Sequence, residues 1–177
     1  MDLPRLFPAR IALAVAKKIV EELRPACDRI EIAGSLRREA CKVHDIDIVL
    51  LRKDTPQEFA LRDLTPLDDL LRQLIDRHSL APMRGKEKIK CFIATKTQIP
   101  VDLYFATRDT WATLLLVRTG SKEHNIKLAQ RAKELGMRLR ASGDGIEGAN
   151  GRLLKVSSEE ELFSLLQLRY LGPSERN

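Results

Sequence analysis

Aromatic residues make up only 5% of this 177-residue sequence: one Trp, two Tyr and five Phe. A protein that grips single-stranded nucleic acid by stacking successive bases needs more rings, so stacking is excluded as its main device. Cysteine is also sparse. Cys27, Cys41 and Cys91 are odd in number, widely spaced and without a C-x-x-C pair. That excludes a disulfide or zinc framework; the three read as small buried hydrophobes in a reducing compartment. The longest early apolar run, IALAVA, is too short for a membrane span or signal core, and Lys17 and Lys18 follow it. No internal repeat or low-complexity segment occurs. An intracellular protein, cytoplasmic or nucleoid-associated and without a membrane partner, is expected.

What is present is an ordinary globular balance, 44% hydrophobic and 32% charged. Lys and Arg outnumber Asp and Glu by 31 to 25, a surplus of +6 that suits a polyanionic partner without demanding one.

Ile11, Val15, Ile19 and Leu23 recur every four residues and predict a helix over 8–24. RIEIAG (29–34) alternates and stops at glycine, a short strand entering a turn. SLRREA follows as a brief helix with Ser35 as its N-cap. A strand over 45–52 comes next. Leu67, Leu70, Leu71, Leu74 and Ile75 then form one helical face, before two strand segments, KEKIKCFIAT and IPVDLYFAT. SKEHNIKLAQRAKELG is a helix bounded by Ser121 and Gly136. SGDG and EGANG punctuate a hairpin-rich patch, and SSEEELFSLLQLRY closes the chain as a helix with Ser157 and Glu160 spaced for a capping box. A seam near 107–110 separates an α/β lobe from a smaller α+β lobe. Trp111 and Tyr104 are assigned to the core.

The chemistry concentrates in VHDIDIVLL (43–51), where Asp45 and Asp47 interrupt an apolar run with no basic residue interleaved. Burying an unpaired carboxylate costs several kcal/mol, comparable with the net stability of a domain. Alternation along a strand puts both on one face, about 6–7 Å apart along the backbone. Asp102 sits likewise in PVDLY, and all three converge if the two strands are neighbours. Such an all-oxygen cluster suits two Mg²⁺ ions placed for phosphoryl transfer. A lone D-x-D more often reflects ordinary ion pairs or turn caps. Here, however, GSLRRE (34–39) precedes it: Gly34 permits a tight turn, Ser35 opens a helix, and Arg37 and Arg38 match phosphate oxygens.

G-S-x-R-R, then D-x-D, then a later Asp in a neighbouring strand resembles the nucleotidyltransferase superfamily of the DNA polymerase beta kind. TGSKEHNIKLAQRAKELGMRL (119–139) and the ending LRYLGPSERN resemble the X-family DNA polymerases in particular. The resemblance implies an α+β fold, with a nucleotidyltransferase palm (mixed sheet with helices) over 1–107 and a nucleotide-closing thumb over 108–177. It implies a DNA-directed DNA polymerase, short-gap filling in repair, DNA and a deoxynucleoside triphosphate as partners, and action as a monomer. Asp45 and Asp47 would bind both Mg²⁺ ions, with Mn²⁺ as substitute, and Asp102 the catalytic one. Gly34, Ser35 and Arg38 would hold the β- and γ-phosphates. Gly120 and Ser121 would form the turn approached by the sugar, and Asn125 would touch the base edge. Lys88, where the family places a basic residue, would contact DNA; Arg118, by its own length and charge rather than by the resemblance, is expected to hold DNA electrostatically.

The sequence departs from the family pattern in three places. Val117 and Arg118 stand where aromatic residues are common, Pro100 stands where arginine is frequent, and His44 stands where glycine is common. The resemblance further implies a minimal palm-plus-thumb form, as in small virus-encoded members, with no lyase region ahead and no nuclease behind. Two other readings share part of the pattern: a small nucleotidyltransferase acting on a non-DNA acceptor, and a non-catalytic module binding DNA ends. The first has no need of T-G-S-K-E-H-N, and the second none of the three aspartates.

Overall fold

Ile46, Ile48, Val49 and Leu50 are completely shielded from solvent, which explains why four branched or apolar side chains follow Asp45 with so little polar relief. The computed structural model describes residues 5–53, 65–83 and 89–177. It divides into two compact units, Met1–Ile32 with Cys41–Phe105, and Ala33–Ala40 with Ala106–Asn177.

The first unit contains β1 (Phe7–Pro8), α1 (Ala9–Leu23) and β2 (Cys27–Ile32). After α2 (Gly34–Arg37), which belongs to the second unit, come β3 (Lys42–Val43) and β4 (Ile46–Arg52). Then follow α3 (Pro66–Asp76), β5 (Leu80–Pro82), β6 (Ile89–Ala94) and β7 (Ile99–Ala106). The main sheet is mixed, in the order β2-β4-β7-β6-β5. β2 runs antiparallel to β4 with Ile30 opposite Leu50, and β6 antiparallel to β7 with Cys91 opposite Asp102. β1 and β3 form a separate two-stranded ladder.

Ala12, Ala16, Ile19, Val20 and Leu23 are the buried face of α1, while Ile11 is 40% exposed. The expected stripe began at Ile11. A four-residue repeat advances 40° more than a full turn, so a strict i+4 row drifts off the buried face over three steps. Two alanines take the contact at the N-terminal end. α3 buries Leu67, Leu71 and Leu74, and is opened by a capping box between Thr65 and Asp68. Asp68 also receives a hydrogen bond from Lys90 Nζ at 2.6 Å. Burial alone would raise its pKa, but the bonds from Lys90 and Thr65 outweigh that and lower it to about 2.

The second unit adds α4 (Trp111–Thr119), α5 (Lys122–Glu134), β8 (Arg138–Leu139), β9 (Ile146–Glu147), β10 (Leu153–Leu154) and α6 (Glu159–Leu165) to α2. β8, β9 and β10 make a small antiparallel sheet. Leu116, Leu128, Ile146, Leu162, Phe163 and Leu166 form its core. Ser121 caps α5, accepting from the His124 amide at 3.1 Å, and Gly136 lies past the end at φ +70°, a conformation that favours glycine. The cap of α6 is one residue later than expected: Ser158 accepts from Glu161 N, while Ser157 donates to the Glu161 carboxylate through its backbone N–H at 2.7 Å and its hydroxyl. The run SSEEE offers the same spacing in two registers, so spacing alone could not choose. Trp111 and Tyr104 are buried, as expected.

His124 lies inside this second unit, 5% exposed. Burial first, then the charges of Arg176, Lys127 and Arg38, lower its pKa to about 4, with Glu159 opposing them. A histidine held neutral in the fold charges only when the chain unfolds. Its stabilising contribution is therefore complete above the unfolded value of 6.5 and lost as pH falls towards 4. Replacing His124 by Leu is expected to flatten this acid limb. In urea denaturation at pH 7 and pH 4, the wild type should lose about 2–3 kcal/mol more than the variant, at 1.36 kcal/mol per pKa unit. Equal losses would refute the assignment.

Candidate active site

Asp47 is in β4, Asp45 immediately precedes that strand, and Asp102 is central in β7, the neighbouring strand. The three carboxylates each offer an oxygen within 4.8 Å of the others, and all three residues are half-buried. Among the described residues this is where acidic groups gather closely enough to share an ion. Burial, then the negative charge of Asp102, raises the pKa of Asp45, against a smaller lowering by His44. Such a cluster repels itself, and a hard divalent cation relieves that repulsion. The donor set is all oxygen and half-open, which fits Mg²⁺ with room for water and substrate ligands.

Two neighbours of Asp102 were assigned only to the core from sequence. The Tyr104 hydroxyl donates to Asp102 Oδ2 at 3.4 Å, and Cys91 stands directly opposite Asp102 on β6. Burial, followed by the neighbouring Asp102 carboxylate, pushes the Cys91 thiol up to about 11. The expectation of three buried cysteines holds for Cys27 alone: Cys41 is exposed and Cys91 half-buried. An i, i+2 pair on β7 could have flagged Tyr104. Cys91 depended on the register of β6, which no local pattern reveals. His44 is exposed, with Nδ1 3.3 Å from the Arg5 carbonyl.

Gly34 opens α2 at φ +59°, a backbone region natural to glycine. Ser35 is inside the helix rather than its cap; Ala33 holds the cap position without a side-chain bond. The left-handed glycine makes the entry turn that a capping serine would otherwise have made. Arg37 is committed internally. Its guanidinium makes a bidentate pair with Glu159, at 2.7 and 2.8 Å, and donates to Thr119 Oγ1 at 2.9 Å. The sequence reading had offered it to phosphate; the acidic partner lies far along the chain. Arg38 donates to the Thr119 carbonyl at 2.6 Å and to Asn177 Oδ1 at 3.3 Å.

Glu159 also receives Arg176 Nη1 at 2.6 Å, and Arg176 is completely buried. Burial alone would raise the pKa of Glu159; hydrogen bonds and charges from Arg37 and Arg176 reverse that and hold it below the ordinary range. Arg37, the last residue of α2, and Arg38, which follows it, thus both meet the T-G-S turn that joins α4 to α5. Gly120 is required there by space: a Cβ would come within 2.5 Å of Asn125 Oδ1 and 2.7 Å of the His124 ring. Asn125 Nδ2 donates to the Val117 carbonyl at 2.8 Å, so it braces the turn. Ser121 spends its hydroxyl on the α5 cap and donates its amide to the Arg176 carbonyl at 3.0 Å. Val117 is packed into the core of the second unit, and Arg118 donates to the Ser142 carbonyl at 3.1 Å. Lys88 lies outside the described residues.

An acidic triad on paired strands, with a helical second unit built around a T-G-S turn, defines the class. Residues 114–177 match the family model described as DNA polymerase beta thumb. The chain is 31% identical over 178 residues to the DNA polymerase/3′-5′ exonuclease PolX of Bacillus subtilis (strain 168), covering 98% of this chain and 29% of that protein. It is 26% identical over 161 residues to DNA polymerase lambda of Rattus norvegicus, covering 81% of this chain and 28% of that one. Together these matches support an X-family DNA polymerase-like protein. It spans less than a third of the length of either relative. Among the described residues, no helix is long and apolar enough to cross a membrane.

Proposed function

We propose that the chain carries out DNA-directed nucleotidyl transfer, adding a deoxynucleotide to a primer 3′-hydroxyl in short gaps of duplex DNA. The observation that carries this reading is the convergence of Asp45, Asp47 and Asp102 within 4.8 Å in a chain matching the polymerase beta thumb family. Residues 1–107 act as the palm and 108–177 as the thumb. Asp45 and Asp47 would hold two Mg²⁺ ions, or Mn²⁺ in their place, and Asp102 would hold the catalytic one. Such ions would supply Lewis-acid activation of the attacking hydroxyl and charge balance for the leaving pyrophosphate. Gly34, Ser35 and Arg38 receive the triphosphate, Gly120 and Ser121 form the turn beside the sugar, and Asn125 faces the base. Arg118 and Lys88 contribute positive charge along the DNA. The protein works as an intracellular monomer in DNA repair.

The test is extension of a labelled primer across a one-nucleotide gap with four deoxynucleotides and Mg²⁺, beside an RNA acceptor and a nucleotide-only control. Addition to the gapped primer supports the reading. Transfer to the RNA acceptor with none to the primer overturns it.

Arg38→Ala separates nucleotide from DNA. Loss of a charge-assisted hydrogen bond to phosphate is expected to weaken triphosphate affinity by about 1.5–3 kcal/mol. Affinity for the gapped duplex, measured separately by fluorescence anisotropy, should change by less than a third of that. An equal loss in both would assign Arg38 to the DNA backbone.

A further inference from the structure

β6 and β7 place Cys91 directly opposite Asp102 in the antiparallel ladder. Tyr104 is two residues from Asp102 on the same strand and therefore on the same face. The carboxylate is thus faced by two groups able to donate, the Tyr104 O–H on Oδ2 at 3.4 Å and, directly across the ladder, the Cys91 thiol. Both donors are uncharged. A lysine or arginine in either position would neutralise Asp102 and compete with a cation for it, whereas a hydroxyl and a thiol orient the group and leave its charge available.

Such a hold has a physical task. Three carboxylates whose oxygens lie within 4.8 Å of one another repel, and Asp102 is on a different strand from the other two. The cheapest relief is rotation of Asp102 about its side-chain torsions, away from Asp45 and Asp47. Cys91, on the strand beyond β7 from β4, is placed to oppose that rotation.

We propose that Cys91 is a positioning residue: its S–H, together with the Tyr104 hydroxyl, keeps the Asp102 carboxylate turned towards Asp45 and Asp47, ready to receive a divalent cation. This rests on the reading of the triad as a metal centre. Hydrogen-bond partners of metal ligands change affinity by about 10–100-fold when removed, and a thiol, being a weak donor, belongs at the lower end of that range.

The test is Mn²⁺ binding to the purified chain without DNA or nucleotide, with free Mn²⁺ followed by electron paramagnetic resonance. Wild type, Cys91→Ala, Cys91→Ser and Asp102→Asn are compared, with thermal unfolding in metal-free buffer as the control for folding. Cys91→Ala is expected to bind Mn²⁺ about tenfold more weakly at unchanged Tm, and Cys91→Ser, which restores a donor, to return within about threefold of wild type. Wild-type affinity in Cys91→Ala overturns the proposal, as does a serine variant no better than the alanine one, because the sulfur would then only fill space. Asp102→Asn separates the two levels. If it binds Mn²⁺ as wild type does, the metal-centre reading fails and takes this inference with it; if it loses the ion while Cys91→Ala does not, only the positioning role falls.

Discussion

Asparagine at position 45, 47 or 102 is expected to stop gap filling while leaving the fold intact. Each substitution keeps the shape of the side chain and removes one charge from a cluster whose oxygens lie within 4.8 Å of one another. Losing several kcal/mol of metal-borne charge stabilisation slows the chemical step by about a thousandfold or more. Stability should move the other way in metal-free buffer. The pKa of Asp45 is raised by burial and then by Asp102, so its contribution to stability falls as pH rises through the folded value. Asp45→Asn removes that penalty at neutral pH, and its Tm in EDTA should exceed that of the wild type. Activity is read by single-turnover extension and stability by thermal unfolding. Retention of more than a tenth of wild-type activity by Asp47→Asn would remove the residue from the chemistry.

The second large effect is structural. Glu159 is almost fully buried and joins two arginines, one of which, Arg176, has no exposure to solvent. Glu159→Ala leaves a buried guanidinium without its carboxylate, and removing one partner of a buried pair costs about 3–5 kcal/mol. Urea denaturation at pH 7 should show that loss. Replacing both partners, Glu159→Leu with Arg176→Met, should recover most of it, because no lone charge then remains in the interior. A single-variant loss below about 1 kcal/mol, the size of an exposed pair, would mean that the network is solvated.

The convergence of the three aspartates was the most legible part of this chain because it breaks a local rule. Two carboxylates interrupt the apolar run of Ile46, Ile48, Val49 and Leu50 with no basic residue interleaved, and Asp102 repeats the anomaly in a second strand. Strand patterns and glycine punctuation placed the elements and the seam between two lobes, whereas the α+β class with its mixed sheet was implied by the motif resemblance. Less legible was everything decided by distant partners. Arg37 looks like Arg38 in sequence, yet Glu159, 122 positions away, binds Arg37 bidentately while Arg38 meets the Thr119 carbonyl. Glu159 itself was hidden in an acidic run whose helix-capping explanation sufficed. The buried face of α1 was displaced because alanines, which carry little hydrophobic signal, pack where the isoleucine row drifts away. Cys91 needed the register of two strands before its thiol could be placed against a carboxylate.

The central claim, that three aspartates on neighbouring strands form a metal-dependent nucleotidyl-transfer centre, is tested most directly by insertion of one matched deoxynucleotide into a one-nucleotide gap. The measurement is made under single-turnover conditions with wild type and Asp47→Asn side by side, each in EDTA and in Mg²⁺. The expected result is insertion by wild type in Mg²⁺ and no detectable product in the other three reactions. Insertion by Asp47→Asn at the wild-type rate, or by wild type in EDTA, would contradict it.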